Sequence, residues 1–233
     1  MLFGEIAYGP IHSRRLGISL GLEIMPLEHK LCTFDCVYCE CGWNEQVLHP
    51  VLPTREEVKR ALEAKLQGLQ KEEVIPDVIT FSGNGEPTLH PDFLGIMRDT
   101  CALRDKFCPK AKVSVLSNST QLGRPDVMEA LRLCDNRILK LDAGTDKMMH
   151  RIDRPVNKEL KVGKIIEWLQ QFNGDFTLQT CFLRGEHAGE IIDNTSPAEL
   201  EAWYRAVAQL QPKQIMIYVI DRKTPEEKLE KIS

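Results

Sequence analysis

The chain has 233 residues, of which 42% are hydrophobic and 27% charged, a balance that excludes a disordered or fibrous protein. Its net charge of −4 gives no overall attraction to nucleic acid, so contact with RNA would need a local basic patch. No basic start followed by an apolar block opens the chain, and the longest apolar runs are too short to span a bilayer. We therefore expect a cytoplasmic protein without membrane contact, whose thiols stay reduced.

Six β-rich runs alternate with helical patterns along the chain. The predicted strands cover residues 16–24, 77–81, 112–117, 137–142, 176–183 and 214–220. The predicted helices begin near residues 54, 91, 124, 158 and 196, and Thr54 with Glu57 forms a capping box at the first of them. The residues from 224 onward have the pattern of a short charged helix or tail.

This alternation predicts the fold class. Strands and helices joined by short connections form a parallel sheet with right-handed crossovers. Six units are too few for an eight-fold barrel, so we expect a partial, six-unit (β/α)6 TIM-like barrel with helices outside the sheet. We expect one domain over residues 1–233, with an N-terminal extension over 1–15 and a C-terminal tail over 224–233. Functional residues should lie on the loops that leave the carboxyl ends of the strands.

Four of the eight cysteines follow the first predicted strand within ten residues: Cys32, Cys36, Cys39 and Cys41. A reducing compartment argues against disulfides, and no second C-x2-C knuckle or His pair completes an ordinary zinc site. Three closely spaced thiolates can hold three irons of a cubane cluster and leave the fourth iron open. Cys41 lies only two residues after Cys39, where a fourth ligand would constrain the loop tightly. We therefore predict that Cys41 is not a ligand.

Polar motifs end the next two predicted strands. The stretch FSGNGEPTL, residues 81–89, places two glycines and Glu86 directly after the second strand, and Ser117 with Asn118 follows the third. Glycines let a backbone approach a ligand closely, and a carboxylate accepts strong hydrogen bonds from an ammonium group. A simple turn with a surface glutamate is the alternative interpretation, since short Gly-rich motifs have many false positives.

Taken together, the motifs resemble those of the radical S-adenosylmethionine (SAM) superfamily. C-x3-C-x2-C with Tyr38 before the last cysteine resembles the superfamily's cysteine motif, and FSGNGEPTL resembles its Gly-Gly-Glu motif, with Asn84 in place of a small residue. SVLSNST resembles the superfamily's third-strand segment that meets the ribose of SAM. The opening GPIHSRRLGISLG and the stretches KLDAGTD, QTCFLRG and IYVIDRKTPE are similar to one branch, the wyosine-synthase-like proteins. The resemblance covers nearly the whole chain and identifies residues 1–233 as a radical SAM core domain.

The resemblance implies a chemistry and a set of site residues. It implies a [4Fe–4S] cluster held by Cys32, Cys36 and Cys39, with SAM chelating the fourth iron. One electron, from a donor such as flavodoxin or ferredoxin, then cleaves SAM to methionine and a 5′-deoxyadenosyl radical that abstracts hydrogen from a substrate. The residues expected to contact SAM are Tyr38, Gly83, Gly85, Glu86, Ser117, Asn118, Asp142, Tyr218 and Arg222.

The substrate is less well defined by the sequence. Arg, Lys and His residues crowd the loops after the last three predicted strands, which favours an anionic substrate such as a tRNA nucleotide. Wyosine synthases carry a second cysteine triad, and no cysteine precedes Cys32, which argues against wyosine synthesis itself. A glycyl-radical activating or peptide-modifying enzyme with a protein partner is the second hypothesis. A non-catalytic iron–sulfur or zinc module that uses all four cysteines is the third.

Overall fold

The main sheet has seven strands within the described residues, in the order β1-β2-β3-β4-β5-β6-β9. The computed structural model describes residues 2–13 and 16–232; residues 1, 14, 15 and 233 of the predicted extension and tail lie outside that description. The strands of this sheet are β1 Ala7–Ser13, β2 Gly17–Leu22, β3 Val78–Phe81, β4 Lys112–Ser117, β5 Asn136–Lys140, β6 Thr177–Phe182 and β9 Gln214–Val219. From β2 to β9 neighbouring strands run parallel, as predicted, while β1 pairs antiparallel with β2.

The helices lie outside the curled sheet, which forms a half-barrel. They are α1 Arg55–Lys71, α2 Phe93–Phe107, α3 Pro125–Leu133, α4 Asp146–Ile152, α5 Val162–Gln170 and α6 Pro197–Leu210. The predicted capping box is confirmed, because the Thr54 side chain accepts from the Glu57 amide and the Glu57 side chain accepts from the Thr54 amide. The partial-barrel fold class is therefore confirmed. None of the described helices is long and apolar enough to cross a membrane.

Three features of the fold were not predicted. Residues 7–13 of the expected N-terminal extension form β1, which pairs antiparallel with β2 and has an irregular register between Tyr8 and Ile11. Helix α4 lies between the fourth predicted strand and the helix predicted to begin near residue 158, where the sequence predicts no helix. The strands β7 Arg184–His187, β8 Glu190–Asp193 and β10 Leu229–Glu230 form a second, antiparallel sheet. Residues 229 and 230 therefore form a strand within the segment expected to be a charged helix or tail, because they pair with the distant β7.

The parallel arrangement gathers the predicted motifs at one edge of the sheet. The cysteine loop follows β2, the GNGE turn follows β3, and Asn118 follows β4. Asp142 comes two residues after the end of β5. All four are thus carried by the carboxyl ends of adjacent strands, the edge where ligands bind in open parallel sheets.

Candidate functional site

The cysteine loop is joined directly to the GNGE turn. The Leu31 amide donates to the Asn84 carbonyl oxygen over 3.0 Å, and the Glu86 amide donates to the Leu31 carbonyl oxygen over 3.1 Å. A Cβ atom added at Gly85 would overlap the carbonyl group of Leu31. Gly85 is therefore required for the contact between two protein loops, a different reason from the close approach to a ligand expected from the sequence.

Gly83 has a similar requirement, set by the buried acid Glu23. A Cβ atom at Gly83, whose φ is +151°, would overlap the Glu23 carboxylate. That carboxylate accepts from the Met25 amide over 2.6 Å and from the Asn84 amide. Burial raises the pKa of Glu23 to about 7, although these hydrogen bonds oppose the shift. The sequence analysis did not identify Glu23, whose only signal was an acid among the apolar residues after β2.

Asn84, the unusual residue of the GNGE turn, fastens the turn to the N-terminal segment. Its side-chain amide is fully buried and donates to the carbonyl oxygens of Phe3 and Pro26, each over 2.9 Å. Its side-chain oxygen accepts from the Phe3 amide over 2.7 Å. The asparagine that replaces a small residue in the motif therefore has a structural role in this chain.

The opposite side of the cysteine loop lies along the segment that follows α4. The Val37 amide donates to the Ile152 carbonyl oxygen, the Asp35 amide to that of Asp153, and the Val156 amide to that of Thr33, each over 2.9 Å. The loop has little regular secondary structure of its own. It is held instead between the GNGE turn and residues 152–156, which fixes the positions from which the cysteine side chains project.

The cysteine thiols lie among cationic and polar side chains. Cys36 is buried, and its Sγ lies 2.9 Å from the Lys140 Nζ. The Cys32 Sγ accepts from the Asn118 side-chain amide over 3.4 Å. The neighbouring Cys41 thiol lowers the pKa of Cys39 against the effect of burial, and the positive charge of Lys30 lowers it further. A lowered pKa favours the thiolate, the form of cysteine that binds metal.

The cysteine loop has the donor chemistry of an iron–sulfur site. Among the described residues, no group of three or more His, Cys, Asp or Glu side chains is placed to hold one metal ion. Three thiols on one supported loop, with Lys140 and Lys30 close enough to offset negative charge, are suited to a cluster whose irons are bound one to each cysteine. Cys41 instead donates to the Gly83 carbonyl oxygen over 3.3 Å.

Glu86 is enclosed and joins three loops. One carboxylate oxygen accepts from the Asn118 amide over 2.6 Å, and the other accepts from the Thr88 amide over 3.1 Å and from the Thr88 hydroxyl. Burial raises the pKa of Glu86, while these hydrogen bonds lower it. The side-chain amide of Asn118 also donates to the Thr33 hydroxyl over 2.8 Å. Ser117 accepts from the Ser119 amide, so both predicted β4 residues are part of this network.

A second buried network lies on the other side of the cysteine loop. The Tyr38 hydroxyl donates to Asp142, and the Tyr218 hydroxyl donates to that of Tyr38 over 3.3 Å. Asp142 also accepts from the Cys181 amide over 2.8 Å and pairs with Lys140 over 3.2 Å. The Lys140 and Asp142 side chains therefore point into the same part of the site. Burial raises the pKa of both tyrosines well above the usual value.

Arg222 lies at the outer rim of the site. Its guanidinium is 73% exposed and pairs over 2.7 Å with Glu40, which lies between Cys39 and Cys41. Other rim arginines are also paired: Arg151 with Glu190, Arg154 with Asp35 and Arg184 with Asp193. The loops expected from the sequence to be basic therefore also lie close to acidic side chains, which pair with these arginines. The predicted site residues follow or end the strands at this edge of the sheet, and Arg222 is the exposed one among those whose contacts are described above.

Comparison with known proteins places the chain in a family. The family model of the Radical SAM superfamily matches residues 29–195, which include the cysteine loop, the GNGE turn and the strands β3 to β6. The chain belongs to the radical SAM superfamily.

Two individual proteins are similar to most of this chain. A UPF0026 protein of Methanocaldococcus jannaschii is 32% identical over 192 residues, which are 82% of this chain and 53% of that protein. GTPase Obg of Brachyspira hyodysenteriae is 30% identical over 225 residues, which are 95% of this chain and 31% of that protein. The chain thus spans about half or less of the length of these relatives.

Solved structures share the fold at low identity. The structure of TYW1 with a lysine-pyruvate adduct bound has a TM-score of 0.63 at 16% identity, over 90% of this chain and 67% of that one. Streptococcus suis SuiB bound to S-adenosylmethionine has a TM-score of 0.62 at 16% identity, over 91% of this chain and 43% of that one. These similarities establish the fold.

Proposed function

We propose that this chain is a cytoplasmic radical SAM enzyme that binds a [4Fe–4S] cluster through Cys32, Cys36 and Cys39. When bound and reduced, the cluster supplies the electron that cleaves SAM to methionine and a 5′-deoxyadenosyl radical, which abstracts hydrogen from the substrate. The observation that carries the proposal is the bridge between Leu31 and Gly85, which joins the cysteine loop to the GNGE turn in a chain of this family.

The protein groups around the cluster have separate roles under this proposal. Glu86 and Asn118 offer polar groups to the methionyl end of SAM, and Glu86 also fixes the loop after β4. Tyr38 and Tyr218 form the wall expected to lie near the adenosyl end, and Asp142 orients their hydroxyl groups. These two tyrosines are partly buried, and their packing limits the access of water to this part of the site.

Anaerobic reconstitution with iron and sulfide, followed by reduction in the presence of SAM, tests the proposal. We expect a cubane spectrum and release of 5′-deoxyadenosine from the wild-type protein. Cys32→Ala, Cys36→Ala and Cys39→Ala should each lose both, whereas the matched control Cys41→Ala should retain them. Absence of both signals in the wild type would overturn the proposal. Loss of the cluster in Cys41→Ala would instead favour the four-cysteine binding module.

The proposed substrate is an anionic molecule such as a tRNA nucleotide, and the proposed electron donor is a flavodoxin or ferredoxin. Arg222 and Arg184 form exposed ion pairs, which are worth only about 0–1 kcal/mol, so a substrate anion can displace their acidic partners. Binding of tRNA that weakens as salt concentration rises, and that weakens further in Arg222→Ala, would support this substrate class. A stable complex with a polypeptide, insensitive to Arg222→Ala, would favour the protein-modifying alternative.

A further inference from the structure

Lys140, the last residue of β5, is a buried cation at the centre of the site. Its side chain is 12% exposed, and its ammonium lies 2.8 Å from Asp153, 2.9 Å from the Cys36 sulfur and 3.2 Å from Asp142. The rings of Phe34 and Tyr38 lie 5.2 Å and 4.9 Å from the same nitrogen. An ammonium has three protons to donate, and the two carboxylates and the sulfur give it three acceptors.

These contacts hold the ammonium in one place and keep it charged. The carboxylates of Asp142 and Asp153 lie within 3.2 Å of the ammonium and offset the cost of burying its positive charge. Only 12% of the side chain is exposed, so solvent has little access to the ammonium. Lys140 thus presents a fixed positive charge and a hydrogen-bond donor to one cysteine of the proposed cluster.

We propose that Lys140 is a positioning residue that donates a hydrogen bond to the Cys36 sulfur and thereby makes the cluster held there easier to reduce. This inference rests on the proposed function. Reduction adds one electron to the cluster and breaks no bond, so the product carries one more negative charge. A donor and a positive charge next to a ligand sulfur stabilise that more negative state.

Asp153 is expected to make the proposed cluster harder to reduce. Its carboxylate lies 3.5 Å from the Cys36 sulfur and 2.8 Å from Lys140. Once Cys36 is a deprotonated ligand, the two negative groups repel each other, and reduction of the cluster increases that repulsion. The structure therefore places two groups of opposite charge against one sulfur, and their removal should change the ease of reduction in opposite directions.

The experiment is an anaerobic redox titration of the reconstituted protein at fixed pH, with the reduced cluster measured by electron paramagnetic resonance. In Lys140→Met, the ratio of reduced to oxidised cluster at a given potential should fall by at least tenfold, which is about 59 mV for a one-electron couple. Lys140→Arg retains a charged donor and should stay within threefold of the wild type. Asp153→Asn should raise the ratio.

Lys30→Met is the matched control for Lys140→Met. Lys30 is a second buried lysine, and it also lies near the cysteines of the loop. The Lys30 ammonium donates to the Gly42 carbonyl oxygen over 2.9 Å and pairs with Asp35 over 3.4 Å, so its removal should change the ratio less than Lys140→Met does. A Lys140→Met protein with wild-type iron content and a ratio within threefold of the wild type would overturn the inference.

If Lys140→Met does not fold, Asp153→Asn still tests the inference. An unchanged or lowered ratio in that variant overturns the inference, and a raised ratio supports it. A wild-type protein that assembles no cluster overturns the proposed function and this inference with it. A wild-type cluster that responds to neither change overturns the role of Lys140 alone.

Discussion

Buried carboxylates position the loops of this site. Glu86 accepts hydrogen bonds from the loop after β4, and Glu23 accepts them from the GNGE turn and from its own loop. Each is about 2% exposed, so neither is solvated by bulk water. Their acceptor capacity is satisfied largely by main-chain amides, which is how a short polar turn can be held rigidly without regular secondary structure.

The raised pKa of Glu23 predicts a pH-dependent stability. Its pKa is about 7 in the folded protein and 4.5 in an unfolded chain, so the folded state binds more protons between these values. The free energy of unfolding should therefore fall as pH rises from 4.5 to 7, by up to about 3 kcal/mol from this group. Glu23→Gln should remove that contribution, as measured by urea unfolding at about pH 5 and about pH 7.5.

The exposed Glu28 lies close to Glu23 in sequence and provides the control. Glu28→Gln should retain the wild-type change in unfolding free energy between the two pH values. If Glu23→Gln retains it as well, Glu23 is not the group responsible. Asn84 would then be held in the same way by a charged carboxylate throughout this pH range.

At the scale of elements, the cysteine loop depends on its two neighbours. It pairs with the GNGE turn through Leu31 and with the segment after α4 through Asp35 and Val37. The pairing partners are distant in sequence, so the loop adopts this conformation only when β2, β3 and α4 are already packed together. The position of the cysteine loop is therefore set by the assembled edge of the sheet.

Gly85→Ala tests this dependence. The new methyl group would overlap the Leu31 carbonyl, so the loop must move away from the turn. We expect a loss of about 1–3 kcal/mol in unfolding free energy, the usual cost of overpacking, together with loss of most reconstituted iron. Urea unfolding and iron analysis measure the two effects.

Gly68→Ala is the matched control for Gly85→Ala. Gly68 lies inside α1, and a Cβ atom there has no neighbour within 4 Å. Alanine is favoured over glycine in a helix by roughly 1 kcal/mol, so this variant should be equally or more stable and retain its iron. Wild-type stability and iron content in Gly85→Ala would show that the two loops are not coupled as described.

At the scale of the whole molecule, the C-terminal residues connect the second sheet to the cysteine loop. Strand β10 pairs with β7, and the Glu226 carboxylate lies 2.7 Å from the His187 imidazole. The Glu226 amide donates to the Val37 carbonyl oxygen over 3.4 Å. Residues 224–232 therefore lie over the outer side of the cysteine loop, although the main sheet does not include them.

Removal of residues 224–233 should expose the cluster without unfolding the half-barrel. We expect far-ultraviolet circular dichroism close to that of the full chain and a several-fold faster loss of cluster absorbance in air, because water and oxygen reach the loop more easily. A chain shortened only by residues 231–233 retains Glu226 and β10 and should behave as the full chain. Equal rates of loss in all three proteins would contradict a covering role for this segment.

Much of the fold was predictable because it depends on local patterns in the amino-acid sequence. The six parallel strands and the capping box at Thr54 depend on residues that are neighbours in sequence, and the structure confirms them. The β1 strand, the second sheet and β10 were missed because they depend on pairing between distant segments, and β10 has only two residues.

The candidate site likewise has features that the sequence predicts and contacts that only the structure reveals. The sequence by itself determined the cysteine spacing, the GNGE turn and the order in which polar groups follow the strands, since parallel strands carry their loops to one edge. Only the tertiary structure placed Lys140 against Cys36, 104 residues away, and Glu23 against Asn84, 61 residues away. A side chain's role at a buried site depends on which distant groups share its low-dielectric surroundings, and those groups meet only when the sheet has formed.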